Sequence, residues 1–165
     1  MKTKNLTMAG IMATLTVLMT AYICHIPIGV NGGYIHFGDS VIYLAAVLLP
    51  TPYALGAAAI GGGLADLLTA PMWAPATIVI KMLLVFPFTN KSVKIVTVRN
   101  LVATVIAYLI SGIGYFFAEY LLFGTWTVFF VTMAQTLIQS LGSAVVFILI
   151  GVALDKAHVK TRFFS

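Results

Sequence analysis

The sequence predicts an all-α, polytopic membrane protein: six transmembrane helices in one compact bundle, both termini cytoplasmic. Three observations carry this. Of 165 residues, 61% are hydrophobic and only 8% are charged, with a mean hydropathy of +1.08. A soluble domain of this length does not need so apolar a surface. The apolar residues fall in successive runs broken by Gly, Pro and basic segments, and eight of the nine Lys and Arg residues lie in the breaks or at the ends. At about 20 residues per crossing, six helices use about 120 residues. That leaves residues 1–165 as a single domain with short loops.

The first helix is predicted from about Leu6 to His25 and stops before Pro27, which continues a helix poorly. Equally apolar runs follow it and no small-residue cleavage site intervenes, so it does not read as a removable signal peptide. Residues 28–38 read as a loop, with Gly29, Asn31, Gly32 and Gly33 as breakers. The second helix covers about Asp39 to Leu49, and Pro50-Thr51-Pro52 turns the chain. The third runs from about Tyr53 to Leu68. A short loop, Ala70 to Pro75, leads to the fourth, about Ala76 to Phe88. After the basic stretch 89–98, the fifth covers about Arg99 to Leu122. A Gly124-Thr125-Trp126 turn then gives the sixth, about Val128 to Leu154. The second and fourth are short for a crossing, so the loops before them are expected to fold into protein rather than face lipid.

Charge sets the expected orientation. Lys2 and Lys4 precede the first span, Lys91, Lys94 and Arg99 surround one connection, and Lys156, Lys160 and Arg162 follow the last span. Six spans bring these groups to one face, which the positive-inside rule makes cytoplasmic, in a multi-pass protein of the cell membrane. The net charge of +5 is thereby accounted for without nucleic acid. Cys24 stands alone, so neither an intrachain disulfide nor a thiolate metal cluster is available. The chain has no Walker A loop, His-Glu-x-x-His pair or Gly-x-Ser-x-Gly elbow. It reads as a binding protein, not an enzyme, with no metal and no cofactor.

Three ionisable residues interrupt the apolar runs: Asp39, Asp66 and Lys81. A charge in a bilayer core costs about 3 kcal/mol even on a lenient scale. The topology places all three in the outer half, with Lys81 roughly 9 Å into its helix, where opposite charges are expected to pair. A structural ion-pair cluster joining the second, third and fourth helices and direct contact with a ligand both remain open for them. In the third helix Ala57, Ala58 and Ala59 precede Gly61, Gly62 and Gly63 by four residues, a spacing that favours close helix packing.

The last two helices carry polar stripes: Tyr108, Ser111, Tyr115 and Glu119 on one, Thr132, Gln135, Gln139 and Ser143 on the other. In hydrocarbon such stripes face each other or a cavity. Tyr115 and Gln135 are the preferred ligand contacts, with Gln139 beside them, whereas Glu119 is expected near the surface and solvated. Of the outer aromatic residues, Trp126 suits an interfacial belt. Tyr34 and Trp73 flank the charged residues, where their rings can stack on an aromatic ligand. His36 reads either as a ligand contact or as a satisfied loop residue. Ala9 and Ala13 form a small-xxx-small pair near the start of the first helix, allowing another helix to approach closely.

Taken together, Phe37-Gly38-Asp39-Ser40-Val41-Ile42-Tyr43-Leu44-Ala45-Ala46, Leu64-Ala65-Asp66-Leu67 and Ala74-Pro75-Ala76-Thr77 through Lys81 resemble the substrate-binding S components of energy-coupling factor (ECF) vitamin transporters. Within that family the likeness leans to the branch linked with hydroxymethylpyrimidine or vitamin B6. The resemblance implies capture of a vitamin or precursor at the outer face beneath the loop joining the first two helices. It also implies docking through Ala9 and Ala13 on a membrane T subunit served by two cytoplasmic ATPases. No Arg lies in the outer half, which argues against a polyanionic ligand. A small, nearly neutral heteroaromatic compound such as hydroxymethylpyrimidine or pyridoxine fits better, with riboflavin and thiamine less favoured. A stand-alone proton-coupled carrier using Asp39, Asp66 and Lys81 is the alternative.

Overall fold

A computed structural model describes residues 2–23, 25–27, 34–127 and 129–163. Cys24, the breakers Gly29, Asn31, Gly32 and Gly33, and Val128 lie outside the described residues. Helix α1 spans Lys2–Leu18 and continues as a π-helical turn, Met19–Ile23. Two short strands, β1 (Ile26–Pro27) and β2 (Tyr34–Ile35), pair antiparallel. Then come α2 (Asp39–Leu48), α3 (Thr51–Thr69), a 3₁₀ turn (Pro71–Trp73) and α4 (Ala74–Leu83). The chain closes with α5 (Val98–Phe123), α6 (Phe129–Lys156) and the short α7 (Val159–Phe163).

The local sequence explains most boundaries. Pro52 sits in the first turn of α3 and Pro75 in that of α4, where a missing N–H costs nothing. Thr97 caps α5 by accepting from the Asn100 N–H at 3.2 Å. Gly124 ends α5 in the left-handed conformation (φ 69°) that suits glycine there. Two helices differ most from expectation. The α-helical part of the first helix ends at Leu18, because the π turn swings Thr20 inward against Gly38 and His36. The fourth helix begins at Ala74 and ends at Leu83, and turns carry the chain from there to Pro87.

Among the described residues, three helices are long and apolar enough to cross a membrane: Lys2–Ile23, Val98–Phe123 and Phe129–Lys156. The protein is an all-α, multi-pass membrane protein. Helix α3, with 19 residues, is diluted by its glycines and Asp66. Helices α2 and α4, ten residues each, reach about 15 Å, half a hydrocarbon core. All ten residues of α2 are buried, so α2 is an internal post. Around it α1 packs on α3, α3 on α4, and α5 on α6.

The alanine and glycine runs act as the sequence suggests. A Cβ at Gly61 would meet Thr16 at 2.7 Å, and one at Gly63 would meet Ile78 at 2.7 Å. Between them, Gly62 lets the Lys81 stem cross α3, since its Cβ would lie 2.7 Å from Lys81 Cγ.

The bundle has two chemically distinct ends. At one, Asn90 donates to the Leu49 carbonyl (2.9 Å), and Asp155 accepts the N–H groups of Ile95 (2.7 Å) and Val96 (3.0 Å). Lys91, Lys94, Arg99 and Lys156 flank these contacts. At the other end lie the β1–β2 hairpin, the 3₁₀ turn and the α5–α6 connection. The charged and hydroxyl groups singled out above gather just inside this hairpin end.

Candidate functional site

The site is built from α2, α3, α4, α5 and α6 beneath the hairpin. Asp39 opens α2, where a carboxylate suits the positive end of the helix dipole. Lys81, on α4, reaches it with Nζ 2.6 Å from Oδ1, and the Lys81 and Asp39 side chains are 2% and 0% exposed. The other Asp39 oxygen accepts from Gln139 Nε2 on α6 at 3.0 Å. Lys81 Nζ also lies 5.3 Å from the centre of the Tyr115 ring, on α5, within reach of a cation–π contact. Four elements therefore converge on one buried ion pair.

Asp66 departs from the expected three-charge cluster. Lys81 closes on Asp39, and Asp66 is satisfied by hydroxyls. Tyr34 donates to its Oδ1 and Thr77 to its Oδ2. The Thr77 proton is committed to Asp66, so Tyr115, 3.0 Å away, donates to Thr77. A hydroxyl relay thus runs from Tyr115 through Thr77 to the carboxylate. Lys81 Nζ stands at contact distance from Asp39, and hydroxyl donors take both oxygens of Asp66.

The hairpin is fastened to this cluster by Tyr34 and His36. The Tyr34 ring lies 4.2 Å from His25 and 5.5 Å from His36, centre to centre. It also packs against the small group formed by Ala70, Trp73 and Ala118, beside Tyr115. His36 Nδ1 accepts the Gly38 N–H at 3.1 Å and faces Thr20 Oγ1 at 3.4 Å. An acceptor at Nδ1 fixes the neutral ring with its proton on Nε2. Burial pushes the His36 pKa down to about 3, as expected for a base taken out of water.

Trp73, in the 3₁₀ turn, is 9% exposed and meets Tyr115 edge-on at 6.4 Å. Its indole N–H is buried and has no hydrogen-bond partner among the described residues. Tyr34, His36, Asp39, Trp73, Lys81, Tyr115 and Gln139 are therefore brought together, with Asp66. Gln135 is half-buried one turn before Gln139 on α6 and takes no part in the hydrogen bonds that join Asp39, Lys81 and Asp66. Glu119 is not simply solvated: it is half-buried and accepts from Thr132 across α5 and α6.

Two residues of the site carried no assigned role from the sequence, Thr77 and Thr20. Thr77 stands one turn before Lys81, so helical spacing already puts it on the Lys81 face. Nothing local marks Thr20, because its inward turn depends on the π-helical step. Ala9 and Ala13, on α1, take no part in this cluster's hydrogen bonds. They are 8% and 6% exposed and form the floor of a groove of about 700 Å³ between α1 and α3, edged by Leu6, Gly10, Val17 and Ile60.

Two comparisons bear on identity. Residues 1–157 match the family described as "ECF-type riboflavin transporter, S component". A protein of Pyrococcus woesei, described as "Uncharacterized protein in gap 3'region", is 34% identical over 111 residues, covering 66% of this chain and 74% of that protein. The family match carries the resemblance as far as S components, and the hydroxymethylpyrimidine or vitamin B6 branch goes beyond it. S components are transport subunits and not an enzyme class. With its long apolar helices and the family match over nearly its whole length, the chain belongs to the ECF-type riboflavin transporter S component family and is a membrane subunit of vitamin uptake.

Proposed function

We propose that this chain captures a small, flat heteroaromatic vitamin at the hairpin end of its bundle and delivers it inward with a T subunit and two ATPases. The family match over residues 1–157 carries this reading. The buried cluster under the hairpin supports it, since it combines aromatic surfaces with a few oriented polar groups, the usual make-up of a small-molecule site. Riboflavin is the first ligand to test, on the family's description. Pyridoxine and hydroxymethylpyrimidine share the flat ring and the hydroxyl group and are the next two.

In this reading six spans place the basic end in the cytoplasm and the hairpin outside. The short helix α2 is shielded from lipid by its longer neighbours, whereas α4 turns the apolar side chains of Ile78, Val79 and Leu83 outward. The groove above Ala9 and Ala13 is the contact for the T subunit. The deciding experiment is to purify the chain, identify by mass spectrometry any small molecule that accompanies it, and titrate the emptied protein with the three vitamins. Binding of one of them by the isolated chain, with uptake only when the T subunit and ATPases are present, is the expected result. Uptake by the purified chain alone in liposomes, driven by a pH gradient, would instead establish the proton-coupled carrier. Ala13→Leu is expected to abolish uptake and leave binding intact, and loss of binding would remove the docking role from this face.

A further inference from the structure

The Tyr34 side chain makes the contacts expected of a ligand. Its ring lies against His25 (4.2 Å) and His36 (5.5 Å) and packs on the Ala70–Trp73–Ala118 group beside Tyr115. Its hydroxyl donates to the buried Asp66 carboxylate and stands 3.3 Å from Thr69 Oγ1. Flat ring, aromatic walls and a hydroxyl on a buried acceptor are all supplied by the protein itself. One buried donor in the same pocket is not engaged: the Trp73 indole N–H has no hydrogen-bond partner among the described residues, in a side chain 9% exposed. A buried donor without a partner is costly and calls for an explanation.

Tyr34 is also placed to leave. Among the described residues it begins a two-residue strand that pairs Ile26 with Ile35 and Pro27 with Tyr34, and a two-stranded ribbon is marginal by itself. Asp66 and Thr77, by contrast, sit on helices, and Asp66 keeps the Thr77 hydroxyl whatever Tyr34 does.

We propose that Tyr34 is an internal stand-in for the ligand, occupying the aromatic slot and the Asp66 acceptor until a ligand displaces it. This rests on the reading that the cluster under the hairpin is the capture site. The chemistry it assigns to the ligand is specific: a flat aromatic ring, a hydroxyl that donates to Asp66, and an acceptor that takes the Trp73 N–H. Such a ligand competes with an intramolecular contact, and its apparent affinity is reduced by the fraction of protein in which Tyr34 is in place. The sign differs from that of a pocket wall. A wall residue strengthens binding, so removing it weakens binding. A stand-in opposes binding, so removing it tightens binding.

The test uses the full chain in detergent, as wild type, Tyr34→Ala and Tyr34→Phe. Two probes are used: riboflavin or pyridoxine by calorimetry, and p-cresol, the Tyr side chain as a free molecule, by thermal unfolding. Tyr34→Ala is expected to bind the vitamin about 10- to 100-fold more tightly than wild type, the range set by a hydrogen bond to a charged group. Tyr34→Phe is expected to fall between them and gives the same sign should Tyr34→Ala not fold. p-Cresol is expected to raise the unfolding midpoint of Tyr34→Ala and not that of wild type, and toluene, lacking the hydroxyl, to raise it less. Weaker vitamin binding by both variants, or equal response of wild type and Tyr34→Ala to p-cresol, overturns the proposal. If no vitamin binds any variant while p-cresol still stabilises Tyr34→Ala, the slot stands and the vitamin reading falls.

Discussion

Cutting the Asp39–Lys81 pair from one side should be far more damaging than removing both charges together. The pair is 2.6 Å long, the Asp39 and Lys81 side chains are 0% and 2% exposed, and Gln139 is the further hydrogen-bond donor to the carboxylate. Lys81→Met keeps the stem that lies over Gly62 and deletes the ammonium, leaving a buried carboxylate with one amide donor. Losing one partner of a buried pair costs about 3–5 kcal/mol, roughly two to three and a half powers of ten in the folded-to-unfolded ratio. The double variant Asp39→Asn/Lys81→Met carries no charge there, and its amide oxygen still accepts from Gln139. Neutral replacements of buried pairs are often close to neutral in stability, so the double variant should recover most of the loss. Unfolding of the detergent-solubilised protein, heated or titrated with a denaturing detergent and followed by tryptophan fluorescence, gives all four corners of the cycle. The expected coupling is about 2–4 kcal/mol. Single variants that each lose less than about 1 kcal/mol, or losses that simply add in the double, would refute the idea that this pair holds α2, α4 and α6 together.

Three further outcomes follow from other contacts. Gly62→Ala puts a methyl group 2.7 Å from Lys81 Cγ, on a side chain already anchored by Asp39; overpacking of about 1–3 kcal/mol should lower the unfolding midpoint, and Gly56→Ala, with open space around it, serves as the control. Asp155→Ala releases the Ile95 and Val96 N–H groups that tie the basic connection to the end of α6; hydrogen exchange at residues 90–97 should accelerate, and unchanged protection there would show that the carboxylate is not the fastening. The His36 pKa falls from 6.5 to about 3 on folding. Between those values the unfolded chain binds more protons, so stability drops as the pH falls through that window, by at most about 1.4 kcal/mol per pH unit. His36→Gln should flatten the slope between pH 6.5 and about 3, and an identical slope in both proteins would exclude His36 as its source.

Helix positions were legible because the determinants are local. Pro52, Pro75, Thr97 and Gly124 mark helix ends through their own backbone and side-chain chemistry. The third helix's small residues announced close packing, and the structure fills their spaces with Thr16, Lys81 and Ile78. The π turn was not legible, because its inward Thr20 is stabilised by His36 and Gly38, 16 and 18 positions away. The same limit applied to pairing among the charges. Three ionisable groups in apolar runs signalled a cluster, but which carboxylate takes the ammonium depends on helix rotation and depth.

The sequence by itself determined the class: an apolar chain with basic residues confined to its breaks belongs in a bilayer, because transfer energies and charge placement are properties of composition and order. It also marked Asp39, Asp66 and Lys81 as the residues to explain, since an unexplained charge in hydrocarbon is expensive wherever the chain folds. Only the tertiary structure decided that Lys81 belongs to Asp39, that Asp66 is held by Tyr34 and Thr77, and that the Tyr34 ring packs beside Trp73. Those choices turn on ångström-scale distances between helices far apart in the chain, and contact distance determines which partner a buried charge selects.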